Sequence, residues 1–298
     1  MLRSNKLIQY LDRETKKIET ENVYGEKAIA FLYGDRWFQK FFTIFVAKFP
    51  LFSALYGLWQ KAPWTKHKVK KFIDRFGVDP EEFEKKVSEF SSFNDFFIRR
   101  LKSSSRPLAN EELIIPADGR YFFYPNIDET SGFIVKNQKF SLTSLVQDDA
   151  LARRYAGGGL VIGRLCPVDY HRFHFPCEGI PAKSRRINGY WYSVNPVAVK
   201  KNLSIMTQNK RSVCELDTES LGKVLLIEVG ATNVGSIIQT YQPGSLVKKG
   251  DEKGYFSFGA SALIMLFEPG VMEFSEDLMQ QNHEIRCLMG QPMAHKKR

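Results

Sequence analysis

The chain has 298 residues, of which 43% are hydrophobic and 26% charged, and this balance excludes a wholly disordered protein and indicates a globular core of ordinary size. There are 43 Lys and Arg against 33 Asp and Glu, a net charge of +10 that favours an anionic partner such as nucleic acid, an acidic membrane or an acidic substrate. The four cysteines form no CxxC pair and residues 1–17 lack an apolar signal-peptide core, so we expect a reducing compartment and no structural zinc.

Residues 28–60 form a stretch dense in aromatic side chains, AIAFLYGDRWFQKFFTIFVAKFPLFSALYGLWQ. Charged residues and Pro50 interrupt it, so it fails the requirement of about 20 uninterrupted apolar residues for a bilayer span. Two interpretations remain, helices that lie in the headgroup region of a membrane and helices packed on the core. The basic segment 61–71, KAPWTKHKVKK, favours the membrane, because each lysine near anionic lipid contributes about 1 kcal/mol.

Two capping signals follow this stretch. Residues 79–82, DPEE, place a capping residue, a proline and two glutamates in the order that begins a helix, which we expect to reach about Phe90. Residues 92–95, SFND, repeat the pattern and predict a short second helix. Residues 1–105 are therefore predicted to be a helical, membrane-associating region.

From Leu113 onward the sequence changes to short β-branched or aromatic runs separated by turn residues: RYFFYP, GFIVKN, GGLVIGRL, GKVLLIEVG, SIIQTY and ALIMLF. The loop QPGSLVKKGDEKGYF is similar to the hairpins of lipoyl-type barrel-sandwich domains. The predicted fold class is therefore α+β, with a β-rich domain of lipoyl-like barrel-sandwich character over residues 106–298. Neither a Rossmann nor a P-loop motif occurs, so nucleotides and nucleic acid are not the expected partners.

The segment CPVDYHRFHFP, residues 166–176, carries two of the five histidines, His171 and His174. Residues three apart in an extended segment point to opposite faces, so the two imidazoles need not share a task. The flanking Asp169 and Arg172 favour a functional site over simple packing. An HxxH pair can also begin a metal site, but the sequence offers no third ligand nearby, and we expect no metal.

Two further residues, Asp118 and Ser261, are candidates for a catalytic role. Asp118 lies in IPADG, where a turn aspartate is the ordinary interpretation. Ser261 lies in FGASA, which interrupts an apolar strand. Asp118, a histidine and Ser261 would complete a set of acid, base and nucleophile. FGASA lacks the second glycine of a G-x-S-x-G elbow, which counts against a serine hydrolase.

The order of these motifs resembles that of the phosphatidylserine decarboxylases, pyruvoyl-dependent enzymes made as self-cleaving proenzymes. The resemblance covers residues 92–261 and rests on SFNDFFIRRLK, PADG, CPVDYHRFHFP, INGYWYSVNP, QNKR, VGATNVGSI and FGAS. The family's cleavage signature is commonly LGST or FGGST. Here Ala260 and Ala262 replace the glycine and the threonine, and the serine is kept.

The resemblance implies self-cleavage between Ala260 and Ser261, with Ser261 converted into the pyruvoyl cofactor. It implies that Asp118, His174 and Ser261 form the processing triad, in which His174 takes the hydroxyl proton and Asp118 orients the imidazole. His171 is expected to contact the substrate and to supply the proton after CO₂ leaves. The implied reaction converts phosphatidylserine to phosphatidylethanolamine.

The resemblance also places Ser193, Asn195, Lys210 and Arg211 at the substrate pocket, where the two cations could meet the lipid phosphate. A turn and a solvated charge run are the alternatives for these residues. The expected partners are phosphatidylserine in an anionic membrane and the two chains of one proenzyme as a heterodimer, with a higher oligomer left open. The expected location is peripheral, on the cytoplasmic face of a bacterial cell membrane.

Two other function classes stay open on the sequence alone. A serine hydrolase acting on lipid would use the same Asp118, His174 and Ser261 but would keep one intact chain. A lipid-binding or cell-envelope module without catalysis would use only the lipoyl-like barrel and the basic surface.

Overall fold

The computed structural model describes residues 8–25, 31–34, 36–48, 50–127, 141–201, 204–231, 236–259, 261–279 and 282–297. The strands are β1 (Gln9–Asp12), β2 (Ile18–Thr20), β3 (Leu113–Ile114), β4 (Gly119–Tyr124), β5 (Leu160–Leu165), β6 (Arg172–His174), β7 (Ile180–Pro181), β8 (Arg185–Ile187), β9 (Arg211–Thr218), β10 (Gly222–Gly230), β11 (Ile237–Gln239), β12 (Glu252–Phe256), β13 (Ser261–Leu266), β14 (Met272–Phe274), β15 (Glu284–Cys287) and β16 (Pro292–Lys296). The α-helices are α1 (Trp37–Lys48), α2 (Pro50–Lys61), α3 (His67–Phe76), α4 (Phe93–Phe97), α5 (Leu142–Val146), α6 (Asp149–Tyr155), α7 (Pro196–Lys201) and α8 (Ile205–Gln208).

The centre of the fold is a ten-stranded sheet in the order β2-β1-β15-β4-β5-β13-β10-β9-β7, with β8 also paired to β9. Its strands pair antiparallel except β1 and β15, which are parallel. Two three-stranded sheets, β11-β12-β6 and β14-β16-β3, complete the β structure. The mixed α+β class predicted from the sequence is confirmed, while the lipoyl-like barrel stays a prediction.

Strand β13 lies in the middle of the large sheet, between β5 and β10. Ile264 and Leu266 pack into one hydrophobic cluster and Met265 into another, because successive side chains of a strand point to opposite faces. Both faces are therefore covered, which explains why the sequence here is a continuous apolar run and not an alternating one.

The N-terminal region departs from the helical prediction in two places. Strands β1 and β2 join the large sheet, so residues 1–105 are not helical throughout. The single helix expected to reach Phe90 is wrong, since the chain forms two 3₁₀ turns, Pro80–Glu82 and Val87–Glu89. Between the two turns Phe83 forms a β-bridge with Leu101. Phe83 and Phe90 are both buried in an aromatic core cluster, a burial that one continuous helix does not provide.

Other local predictions agree with the structure. Ser92 caps α4 by accepting a hydrogen bond from the Asp95 backbone N–H at 3.1 Å. The aromatic stretch forms α1 and α2, and no helix of the described ranges is long and apolar enough to cross a membrane. The runs from RYFFYP to ALIMLF are strands, except GFIVKN, which lies outside the described residues.

Candidate active site

Ser261 is the first residue of β13 and lies opposite Leu165 of β5 and Gly230 of β10. Its side chain is fully buried, and its Oγ has no hydrogen-bond partner within the described part of the chain. Two residues earlier, Gly259 has a φ of 142°, a backbone conformation that residues with a side chain rarely adopt. The glycine therefore permits the turn into the strand. Ala260, the other side of the predicted cut, lies outside the described residues.

His171 lies beside this turn. Its ring stacks on Phe97 with centroids 3.9 Å apart, and its Nδ1 is 3.0 Å from the Asp169 carbonyl oxygen. Burial lowers the pKa of His171 to about 3, against the opposing effects of the Asp169 charge and the Gly259 backbone. The imidazole is therefore neutral at pH 7. Because Nδ1 donates to a carbonyl, Nε2 carries a lone pair, and no described group bonds to it.

His174 occupies the other predicted histidine position, at the end of β6. Its Nδ1 donates to the Gly250 carbonyl oxygen at 2.9 Å, and its Nε2 is 3.3 Å from the Tyr170 hydroxyl. Burial lowers the pKa of His174, so this imidazole is also neutral at pH 7. Both ring nitrogens are thus engaged by partners other than Asp118 or Ser261.

Asp118 precedes β4 in the tight turn that the sequence predicted. Its carboxylate accepts two short hydrogen bonds from Arg106, at 2.9 and 2.6 Å, and a third from the Met289 backbone N–H at 2.9 Å. The Arg106 guanidinium also pairs with Glu82. In this uncut chain, Asp118 and His174 therefore belong to separate hydrogen-bond networks, and the Ser261 Oγ bonds to neither of them.

A buried charge network that the sequence interpretation did not assemble lies next to His171. The Asp169 carboxylate accepts from Arg120 at 2.6 Å and from the Cys166 backbone N–H at 2.6 Å. Burial opposes ionisation of Asp169, but the Arg120 guanidinium holds its pKa below the usual range. Glu21 joins the same network through Arg164 and Arg120. Asp169 was visible in the histidine motif, whereas nothing in the local sequence marks Glu21.

A cavity of about 440 Å³ opens against the turn before Ser261. Its walls come from four parts of the chain. The N-terminal region supplies residues 21–25, residues 32–33, Tyr56 and Arg75. The other three parts are residues 164–168, residues 193–195 and the turn residues Phe258 and Gly259. The structure thus brings the predicted Ser193 and Asn195 together with the predicted cleavage turn. A volume of this size suits a small polar head group with part of its chain.

The predicted cations Lys210 and Arg211 do not line that cavity. The Lys210 ammonium lies 5.2 Å from the centre of the Trp191 ring. Arg211 is 1% exposed and donates to the carbonyl oxygens of Ser144, Leu145 and Asn209, so it is not part of a solvated charge run. Contact of either residue with a lipid phosphate stays a prediction.

Comparison with known proteins agrees with the motif order. The family model for phosphatidylserine decarboxylase matches residues 93–295. The chain is 46% identical over 295 residues to a phosphatidylserine decarboxylase proenzyme of Chlamydia pneumoniae, covering 97% of this chain and 98% of that protein. Proenzymes of the same name from Chlamydia felis and Chlamydia trachomatis serovar D are 47% and 41% identical, covering 97% and 96% of this chain and 98% and 96% of those proteins. The chain therefore belongs to the phosphatidylserine decarboxylase family of carboxy-lyases.

Proposed function

We propose that this phosphatidylserine decarboxylase makes its own pyruvoyl cofactor by cutting the chain between Ala260 and Ser261. The observation that carries the proposal is the buried Ser261 Oγ, which has no partner among the described residues and follows a glycine turn at a strand start. In the proposed cut, Oγ attacks the carbonyl carbon of residue 260 and the Ser261 nitrogen leaves it, giving an ester. A base then removes the Ser261 Cα proton as the Cβ–Oγ bond breaks, which frees the carboxylate of residue 260 and leaves a dehydroalanine. Its imine tautomer takes up water and loses ammonia to give the pyruvoyl group.

The pyruvoyl group supplies a ketone that condenses with the substrate amine and accepts the electrons released as CO₂ departs. The chain's own residues bind and move protons around it. We assign to neutral His171, held by Phe97 and the Asp169 carbonyl, the exchange of a proton with the substrate through Nε2. We assign His174 as the base of the cut and Asp118 as its orienting acid, roles that require His174 to exchange its contact with Tyr170 for one with Ser261.

We propose that the pair of helices α1 and α2 binds the membrane surface peripherally. Apolar side chains remain exposed on it, among them Trp37 at 80%, Phe41 at 66% and Leu58 at 62%. Such exposure is unfavourable in water and is typical of a lipid-binding surface. The basic residues of α3 follow directly and fit anionic lipid, which favours the cytoplasmic leaflet of a bacterial membrane.

We also propose that the products of the cut, residues 1–260 and 261–298, remain together as a heterodimer. The short chain would keep β13 between β5 and β10 and β15 between β1 and β4. It would also keep a two-bond contact of Asp277 with Arg13 at 2.7 and 2.9 Å.

Intact mass of the purified protein tests the central proposal. We expect two masses, with the short chain blocked to Edman degradation and trapped by cyanoborohydride in the presence of phosphatidylserine. Ser261→Ala should remain one chain of 298 residues and be inactive, because no hydroxyl is present for the acyl shift. A wild-type protein that decarboxylates phosphatidylserine as one uncut chain would contradict the proposal. A serine hydrolase would instead stay uncut and release fatty acid.

A further inference from the structure

Two arginines line the cavity beside the cleavage turn, and they differ in how their charge is used. Arg164 is buried and pairs with Glu21 and Glu284. Arg75, near the end of α3, is exposed and has no acidic partner among the ion pairs of the described ranges. Its guanidinium carbon lies 5.2 Å from the centre of the neighbouring Phe76 ring. The cavity therefore has one uncommitted cation in its described wall.

Arg75 shares the cavity wall with three aromatic side chains and with the turn before Ser261. Tyr24, Tyr56 and Phe258 share the wall with it, and Tyr56 packs on Phe258 with ring centroids 5.6 Å apart. Burial raises the pKa of Tyr24 to about 12, an effect that the Arg75 charge opposes. The Tyr24 hydroxyl thus stays neutral at pH 7, and it hydrogen-bonds to the Tyr56 side chain, which leaves Arg75 as the charged group of this wall.

We infer that Arg75 binds the phosphodiester of the phospholipid substrate and so sets its position in the cavity. The inference rests on the proposed function. In phosphatidylserine two carbons separate the amine from the oxygen that bears phosphorus, so an amine directed past the Gly259 turn to position 261 would leave the phosphodiester in the cavity that this turn lines. The acyl chains then follow toward Tyr56 and the exposed helices α1 and α2. A guanidinium fork suits two phosphate oxygens at once, which an ammonium does not.

The same reasoning changes the residue to which the phosphate is assigned. From the sequence we expected Lys210 and Arg211 to bind the phosphate. Neither residue lines the cavity, and the three guanidinium nitrogens of Arg211 donate to backbone carbonyls. Arg75 lies before the segment on which the family resemblance rests, so no motif singled it out.

Binding to the uncut Ser261→Ala protein tests Arg75 without depending on the pyruvoyl group. Calorimetry would measure the binding of phosphatidylserine and of phosphatidic acid, both with six-carbon acyl chains to keep them monomeric. We expect Arg75→Gln to raise the dissociation constants of both lipids roughly ten- to hundredfold, the range for loss of a hydrogen bond to a charged group. Arg75→Lys should recover part of the loss.

Lys71→Gln is the matched control, because Lys71 is exposed one turn earlier on the same helix and does not line the cavity. It should weaken binding less than about twofold, as expected for a screened surface charge. Equal losses from the two variants would overturn the inference, since they would show a general attraction of the basic helix for anions. Weaker binding of phosphatidylserine alone in Arg75→Gln would also overturn the inference, as would the absence of phosphatidic acid binding to the parent Ser261→Ala protein.

A kinetic measurement then separates this inference from the proposed function. In a background that keeps Ser261, Arg75→Gln should cut itself normally and show a raised KM for phosphatidylserine in nonionic mixed micelles, while Lys71→Gln matches wild type. If wild-type protein never cuts or decarboxylates, the proposed function fails, yet the binding experiment still decides the role of Arg75. Normal KM in a fully cut Arg75→Gln enzyme would refute the phosphate contact.

Discussion

The stability of the two-chain enzyme should depend on the buried face of β13, and Leu266→Ala tests this directly. The four large side chains from Leu263 to Leu266 are each at most 5% exposed. At about 1.5–3 kcal/mol per buried side chain, they contribute roughly 6–12 kcal/mol to holding the short chain, before entropy is counted. Leu266 is fully buried, so its truncation should cost about 3–5 kcal/mol through lost burial and the cavity left behind.

The assay follows release of the short chain from the cut enzyme by size-exclusion chromatography in increasing urea. With a urea slope of about 3 kcal/mol per M, Leu266→Ala should lower the midpoint by roughly 1 M or more. Leu246→Ala is the matched control, because Leu246 is 64% exposed and its truncation should shift the midpoint little. Separation of the wild-type chains in buffer without urea, or equal midpoints for the two variants, would refute the reasoning.

Three further outcomes are expected. On a denaturing gel His174→Ala should remain uncut, whereas His171→Ala should be cut but turn over substrate poorly. An uncut His171→Ala would instead indicate that the Nε2 of His171, which has no described partner, is the base that acts on Ser261. Replacing Trp37 and Phe41 by serine should reduce sedimentation with anionic vesicles while cutting continues, and unchanged sedimentation would count against the membrane surface. Because burial lowers the pKa of His171 from 6.5 to about 3, the unfolded chain binds more protons in that window, and His171 should by itself make the stability of Ser261→Ala in urea fall by up to about 1.4 kcal/mol per pH unit below 6.5. The fall should be smaller in the double variant with His171→Asn and should not vanish, because burial also lowers the pKa of His174.

The sequence predicts most of the sheet because its signals there are local. Runs such as GGLVIGRL and GKVLLIEVG are long enough, and sharply enough bounded by glycine, to identify β5 and β10 without tertiary information. The Asp118-Gly119 turn and the Ser92 cap were predictable for the same reason. Each of these features is decided by residues within a few positions of one another.

The predictions that failed depend on partners far along the chain. Strand β1 exists because it pairs with β15, some 270 residues later, and its own sequence contains no strong strand pattern. The capping signal at Asp79 is real, since its side chain accepts from the Glu81 N–H, but burial of Phe83 and Phe90 prevents a continuous helix. The triad of Asp118, His174 and Ser261 stays a prediction, because chain order does not fix which side chains contact one another.

The position of the proposed cut relative to the sheet explains how one chain could become two while the site keeps its shape. The proposed break precedes Ser261, the residue at which the β13 ladder begins, so pairing of the six residues of β13 with β5 and β10 does not require an intact peptide bond at 260. Beyond β13, the short chain also supplies the Met289 N–H that binds Asp118. After the proposed cut, the new terminus would be held at its start by the sheet, and the short chain would keep its hydrogen bond to Asp118, so we expect the reacting group to form in a position that was fixed before the cut.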